Sequence, residues 1–170
     1  QDKRDRKFQP TEGYLASFNQ KIPLYSETPS LLNGFNYSAY RSINENLIGS
    51  VRFYGRSINS IFSDEDVKLS ERLSLPGKFL RGFEAGKIGP VDALDHVGGN
   101  YATSLGFNAG LPKLLPNLSN ADFSLFLDAG NVWGIDYDSS IDDSNTIRSA
   151  FGVSVDWLTP IGPLNFSFSE

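Results

Sequence analysis

Apolar and polar residues alternate with a period of two along most of the chain. Alternation of this kind predicts β-strands with one apolar and one polar face. The clearest run opposes an apolar row to small or polar neighbours, and that row is Tyr101, Thr103, Leu105, Phe107 and Ala109. The same pattern predicts strands over residues 12–22, 33–43, 47–56, 100–111, 121–129, 147–157 and 162–169. No stretch predicts a helix, so the predicted fold class is all-β with about seven antiparallel strands.

Residues 57–99 lack this alternation. Within them, the run from Leu75 to Pro90 has four glycines and two prolines, which exclude long regular structure. A loop of this length inside a domain is usually functional. Its middle is Leu80-Arg81-Gly82-Phe83, where a guanidinium lies next to a glycine between aromatic residues.

Two interpretations of this loop remain open on the residues alone. In the first, it is a surface turn whose Arg81 lies in water. In the second, it folds inward and pairs Arg81 with a buried carboxylate, a partner that suits the planar fork of arginine. A related question concerns Arg52 and Arg56, which share the polar face of the third predicted strand and need acidic partners or water.

Composition narrows the classes of function. The 170 residues have a formal net charge of -5 and a pI near 4.9, which argues against nucleic acid as a partner. There is no cysteine, hence no disulfide, no thiolate nucleophile and no cysteine zinc site, and the single His96 cannot anchor a histidine-rich metal site. Acidic residues cluster in two loops without the ligand spacing of a calcium loop: Asp64, Glu65, Asp66, Asp136, Asp138, Asp142 and Asp143. We therefore expect no metal, no cofactor and no enzymatic activity.

Hydropathy does not decide whether the chain crosses a membrane. No window contains the roughly eighteen apolar residues that a spanning helix requires, but membrane β-strands escape that test because their two faces average out. Thirteen Phe, seven Tyr and sixteen Gly fit an aromatic-rich β-protein. Two architectures satisfy the pattern: a soluble β-sandwich, or part of a transmembrane β-barrel in which four residues at strand ends would form aromatic girdles, namely Tyr14, Tyr101, Trp133 and Trp157.

Several short motifs follow one another in a fixed order. The tip Leu80–Phe83 is followed by Ile88-Gly89-Pro90, Gly98-Gly99-Asn100, Phe126–Trp133, Ile147-Arg148-Ser149 and Trp157–Leu164. In this order they resemble the carboxy-terminal barrel of the bacterial surface antigen family. Arg4-Asp5 and Phe8–Gly13 are similar to the middle of that barrel, so the resemblance covers nearly all of residues 1–170.

The resemblance implies an antiparallel transmembrane β-barrel of the bacterial outer membrane that folds and inserts other barrel proteins. It implies three kinds of partner: unfolded outer-membrane protein clients, outer-membrane lipid and the lipoproteins of an assembly machine, with no nucleic acid. In the family the long loop folds into the lumen and its arginine docks on the inner wall. Here that arginine is Arg81 and the docking partner is Asp128. Gly106 stands where some relatives have a second acidic partner, which makes Glu84 and Asp122 candidate secondary partners.

Seven strands cannot close the family's barrel, so the resemblance implies a partial barrel that lacks the first strands, the preceding POTRA domains and the last strand. Close relatives remain as alternatives, either a TamA-like assembly factor or a two-partner secretion transporter. A passive pore or surface antigen is an alternative from another class, and a soluble carbohydrate-binding sandwich is a third. Under the leading hypothesis, docked Arg81 braces the barrel wall.

Overall fold

The computed structural model describes residues 1–23, 29–62, 65–114, 120–141 and 146–170. Most of them belong to one seven-stranded sheet, in the order β1-β2-β3-β6-β7-β8-β9. Its strands are β1 (Gly13–Lys21), β2 (Ser30–Asn44), β3 (Leu47–Ser60), β6 (Tyr101–Leu111), β7 (Ala121–Trp133), β8 (Arg148–Thr159) and β9 (Gly162–Ser169), and a small hairpin is formed by β4 (Val91–Asp92) and β5 (Asp95–His96). All neighbouring strands pair antiparallel, which confirms the predicted fold class of an open part of a barrel wall.

Three strands are longer than the alternation predicts. β2 begins at Ser30, and β3 continues to Ser60, because Ser30 and Ser60 pair at the ends of the two strands. β7 continues past residue 129 to Trp133, since Gly130 pairs with Ser104 of β6. Small and polar residues at these ends interrupt the alternation of apolar and polar residues, so the pattern predicts strands that are too short.

One face of the sheet is apolar and uncovered. Large side chains that are at least one-third exposed lie along it on every main strand except β3, among them Phe18, Phe35, Leu105, Phe107, Leu125, Leu127, Phe151, Val153, Phe166 and Phe168. A sandwich would need a second sheet over this face, and the described residues contain none. Two aromatic pairs stack on the same face, Tyr14 on Tyr37 and Tyr101 on Trp133, with ring centroids 6.2 and 5.7 Å apart.

The opposite face is covered by the segment between β3 and β6. This segment contains a short 3-10 helix, Leu69–Glu71, and the β4-β5 hairpin. Its buried apolar side chains form a core with those of the wall, made of Tyr54, Ile58, Val67, Leu73, Leu75, Leu80, Ile88, Ala102 and Val132. The ring of Phe79 stacks on that of Tyr54 with centroids 4.2 Å apart. The long loop is therefore a packed plug on the inner face of the wall.

The amino-terminal residues run beside β1. The backbone N–H of Lys3 donates to the carbonyl of Tyr14 at 2.8 Å, and that of Ala16 donates to the carbonyl of Gln1 at 2.8 Å. These contacts occupy part of the free edge of β1. In the described part of the chain, no helix has the length and apolar character needed to cross a membrane.

Candidate functional site

Asp128 lies on the inner face of the wall, near the middle of β7. In the register of the sheet its neighbours are Gly106 on β6 and Ala150 on β8. Both residues are small, so their side chains leave a space around the Asp128 carboxylate. Its side chain is fully buried, and a buried carboxylate requires a charged partner and hydrogen bonds. The wall thus presents a negative charge that another segment must neutralise.

Arg81 supplies that partner from the tip of the loop. Its Nε donates to Asp128 Oδ2 at 2.6 Å and its Nη2 donates to Oδ1 at 2.7 Å. The backbone N–H of Arg81 also donates to Oδ2, at 3.2 Å. Arg81 is 8% exposed. Two parallel charge-assisted hydrogen bonds in a desolvated site are among the stronger contacts that side chains make.

The guanidinium of Arg81 contacts three further wall residues. Nη2 donates to Asn108 Oδ1 at 2.8 Å, and Nη1 lies 3.4 Å from the hydroxyl of Ser154. The guanidinium carbon lies 3.7 Å from the ring centroid of Phe126, a cation–π contact. One side chain of the loop therefore connects strands β6, β7 and β8.

The neighbours of Arg81 complete the docking of the tip. Leu80 is fully buried in the shared core, and Phe83 packs against the same core. Gly82 has φ +88°, a conformation that L side chains rarely adopt. A Cβ at Gly82 would collide with Ser169 of β9 and come within 3.4 Å of Ala150. Glycine at this position allows the tip to reach the last strand of the sheet.

The structure brings Arg81 and Asp128 together but leaves Glu84 and Asp122 apart from them. Neither of the two makes a hydrogen bond or ion pair with Arg81 in the described ranges. Glu84 is exposed to solvent. Asp122 lies opposite Asp156, six positions before Asp128 on β7, which is about 20 Å along an extended strand. The expectation that either is a secondary partner is wrong; Asn108, Ser154 and Phe126 take that place.

Those three residues were missed because each is an ordinary member of an alternating strand. The only signal for them is their position: all lie on the face of Asp128. A fourth inner-face residue, Arg52, was recognised as needing an acidic partner, and its Nη2 lies 3.8 Å from Asp128 Oδ1.

A second anchor holds the plug close to the end of β7. Asp136 forms an ion pair with Arg72, accepts the backbone N–H of Val67 at 2.7 Å, and accepts the Asn100 side-chain amide at 3.1 Å. Burial of Asp136 opposes ionisation, but these hydrogen bonds outweigh it and lower the pKa of its carboxyl below the ordinary value. Arg72 also lies over the ring of Tyr137, 4.9 Å from its centroid.

Metal ligation receives no support from this geometry. Among the described residues, no group of three or more His, Asp or Glu side chains is arranged to hold an ion. Three of the acidic residues considered in the sequence, Asp64, Asp142 and Asp143, lie outside the described residues.

A family model, the Omp85 superfamily domain, matches residues 1–169. The chain belongs to the Omp85 superfamily. Its relatives in this superfamily are bacterial outer-membrane proteins, which places the chain in the bacterial outer membrane.

Two relatives and one solved structure support the same family assignment. The outer membrane protein assembly factor BamA of Neisseria meningitidis is 28% identical over 205 residues, and that of Neorickettsia risticii is 26% identical over 174 residues; each alignment covers 99% of this chain. The chain spans about a quarter of the length of these relatives. A crystal structure of BamA from Haemophilus ducreyi lacking POTRA domains 1-3 superimposes with a TM-score of 0.89 at 26% identity, over 99% of this chain and 37% of that one. The resemblance of the sequence to the carboxy-terminal barrel of an outer-membrane protein family is thereby confirmed, and the matched proteins are BamA barrels.

Proposed function

We propose that this chain provides wall strands and the lumen plug of a BamA-like factor that folds and inserts other outer-membrane β-barrel proteins. Support comes from membership of the Omp85 superfamily and from similarity to proteins named as outer-membrane assembly factors. The proposed partners are unfolded barrel clients, outer-membrane lipid and the lipoproteins of an assembly machine. The proposed role is mechanical and needs no catalytic group.

The docking of Arg81 on Asp128 is the observation on which this proposal rests. An insertase must open its barrel to accept a client strand by β-augmentation, and the rest of its wall must remain paired while it does so. Arg81 joins three adjacent strands through side-chain contacts, and Gly82 places the tip against a fourth. The loop tip would therefore brace this part of the wall against separation of its strands.

The strength of the brace follows from burial. Asp128 is fully buried and Arg81 nearly so, and removing one partner of a buried pair typically costs about 3–5 kcal/mol, because the other charge remains desolvated and unpaired. That penalty is large compared with the usual total stability of a folded domain, about 5–15 kcal/mol. A barrel without the brace would lose rigidity first in strands β6 to β8.

The test uses the intact protein in lipid vesicles, with an unfolded outer-membrane barrel protein as client. We expect Arg81→Ala to lower the initial rate of client insertion at least about tenfold, the equivalent of 1.4 kcal/mol. Arg81→Lys is expected to recover only part of it, because an ammonium group cannot reproduce the two-pronged contact with Asp128. Lys87→Ala, which removes an exposed cation from the same loop, is the control and should insert clients at the parent rate.

Parent-like insertion by Arg81→Ala would reject the bracing role. If the intact protein inserts no client but exports a passenger protein, a secretion transporter is the better description. If it only conducts ions, with single-channel conductance the same in Arg81→Ala as in the parent, the better description is a passive pore.

A further inference from the structure

Arg52 is a second cation beside Asp128, and it makes little use of its donors. Its Nη2 lies 3.8 Å from Asp128 Oδ1, beyond hydrogen-bonding distance. Within the described residues, neither Nε nor Nη2 has a hydrogen-bond partner, although both atoms are shielded from solvent. Asp128 therefore has one arginine bound through two hydrogen bonds and another nearby with two unused donors.

The wall leaves the path between Arg52 and Asp128 clear. In the register of the sheet, Arg52 pairs with Gly106 and Gly106 pairs with Asp128, so the three lie in one row across β3, β6 and β7. A Cβ at Gly106 would lie 2.7 Å from Asp128 Oδ1 and 3.5 Å from Arg52 Nη2. Because glycine has no Cβ, the guanidinium of Arg52 can approach the carboxylate over a bare stretch of backbone.

The two arginines, Arg52 and Arg81, lie in different parts of the fold. Arg52 belongs to a central strand of the sheet, whereas Arg81 belongs to a loop that is docked on it. If the loop tip left the wall, Arg81 would leave with it and Arg52 would stay. Asp128 Oδ1, which now accepts from Arg81 Nη2 at 2.7 Å, would then be free for the closest remaining cation.

We propose that Arg52 is the resident counter-ion of Asp128, which takes over the carboxylate when the loop tip undocks. Without it, undocking would remove the one arginine that is hydrogen-bonded to the Asp128 carboxylate and leave that charge without a counter-ion. With it, one ion pair replaces another and the unused donors of Arg52 find an acceptor. The tip is then a releasable latch. This inference concerns the release of the loop, goes beyond the proposed function and stands independently of client insertion.

The proposal assigns opposite effects to two arginines on one carboxylate. Removing Arg81 destabilises the docked state, whereas removing Arg52 destabilises the undocked state, since only there does Arg52 bind Asp128 fully. The reporter is Leu80→Cys, at a fully buried position of the tip in a sequence without other cysteine. A maleimide can reach this thiol only when the tip has left the wall, so the labelling rate measures undocking.

The experiment measures labelling of the intact protein in lipid vesicles, in a background whose sole cysteine is Leu80→Cys. We expect Arg81→Ala to speed labelling and Arg52→Ala to slow it, each by about tenfold, as expected for a hydrogen bond to a charged group. Lys87→Ala, the exposed control in the same loop, should label at the background rate. No client is present, so the result is independent of assembly activity.

Labelling of Arg52→Ala at the background rate, or faster, would overturn the proposal, because Arg52 would then support the docked state or do nothing. Should Arg52→Ala fail to fold, Arg52→Gln keeps most of the side chain's length without its charge, and the same slowing is required of it.

Discussion

Gly106 lies directly opposite Asp128, and its missing side chain provides the space that the Asp128 carboxylate occupies. A Cβ built on Gly106 would come within 2.7 Å of Asp128 Oδ1, closer than real Cβ atoms approach an oxygen. The carboxylate cannot give way easily, because both of its oxygens are bound by Arg81. A glycine on one strand thus determines whether the loop can dock on the next.

Gly106→Ala is expected to lower the free energy of unfolding by about 1–3 kcal/mol, the usual cost of an added methyl group in a packed site. Gly110→Ala is the matched control, since it lies on the same strand and face and its Cβ would come no closer than 3.5 Å to a neighbour, the carbonyl oxygen of Ile48. Its unfolding free energy should stay within about 0.5 kcal/mol of the parent or rise slightly. Urea unfolding of the protein in lipid vesicles measures both unfolding free energies. Equal values for the two variants would show that the Asp128 carboxylate does not depend on the space at Gly106.

The plug core makes a separate prediction about Leu80. This side chain is fully buried between loop and wall, so Leu80→Ala should cost about 2–5 kcal/mol through lost burial and the cavity left behind. Leu94, in the same loop, is 93% exposed, and Leu94→Ala should change stability by less than about 0.5 kcal/mol. Unfolding midpoints of the two variants provide the comparison. Similar midpoints would mean that the loop does not pack on the wall as described.

The second anchor predicts a pH dependence of the loop. The pKa of Asp136 is lowered in the folded protein, so its contribution is complete above the unfolded value of about 3.9 and is lost as the pH falls through the folded value. Hydrogen exchange of the Val67 amide, which donates to Asp136, should lose protection below about pH 4, after correction for the intrinsic rate. Asp136→Asn should remove this dependence.

An internal control is available in the same loop. The Leu73 amide donates to the carbonyl of Gly99 at 2.8 Å, a bond with no titrating group. Its protection should persist where that of Val67 is lost. Equal behaviour of the two amides from pH 7 to pH 3 would show that Asp136 does not control this anchor.

The strands could be predicted from the sequence because a period of two is a local property. Leu105, Phe107 and their neighbours alternate visibly, and that alternation identifies the strands, whereas their pairing order comes from the structure. The ends of β3 and β7 could not be predicted, since Ser60 and Gly130 are held by partners on adjacent strands and not by any preference of their own.

The candidate site was only partly accessible to sequence reasoning. Arg81 and Asp128 came from a family resemblance, and the polar face of β7 agreed with it. The secondary partners depend on cross-strand register: Asn108 and Ser154 reach Arg81 because of where β6 and β8 align with β7, which no single strand records. Glu84 and Asp122 were chosen for charge, whereas the structure uses neutral acceptors and an aromatic ring.

The free-energy coupling between Arg81 and Asp128 shows whether an ion pair docks the loop on the wall. A double-mutant cycle of Arg81→Ala, Asp128→Asn and the double variant, followed by urea unfolding of the intact protein in vesicles, measures it. We predict that the double variant loses less stability than the sum of the single variants by at least about 1.5 kcal/mol, because either substitution alone already breaks the paired contact between the two side chains. Single-variant losses that simply add would contradict a docked ion pair and, with it, the loop as a brace of the wall.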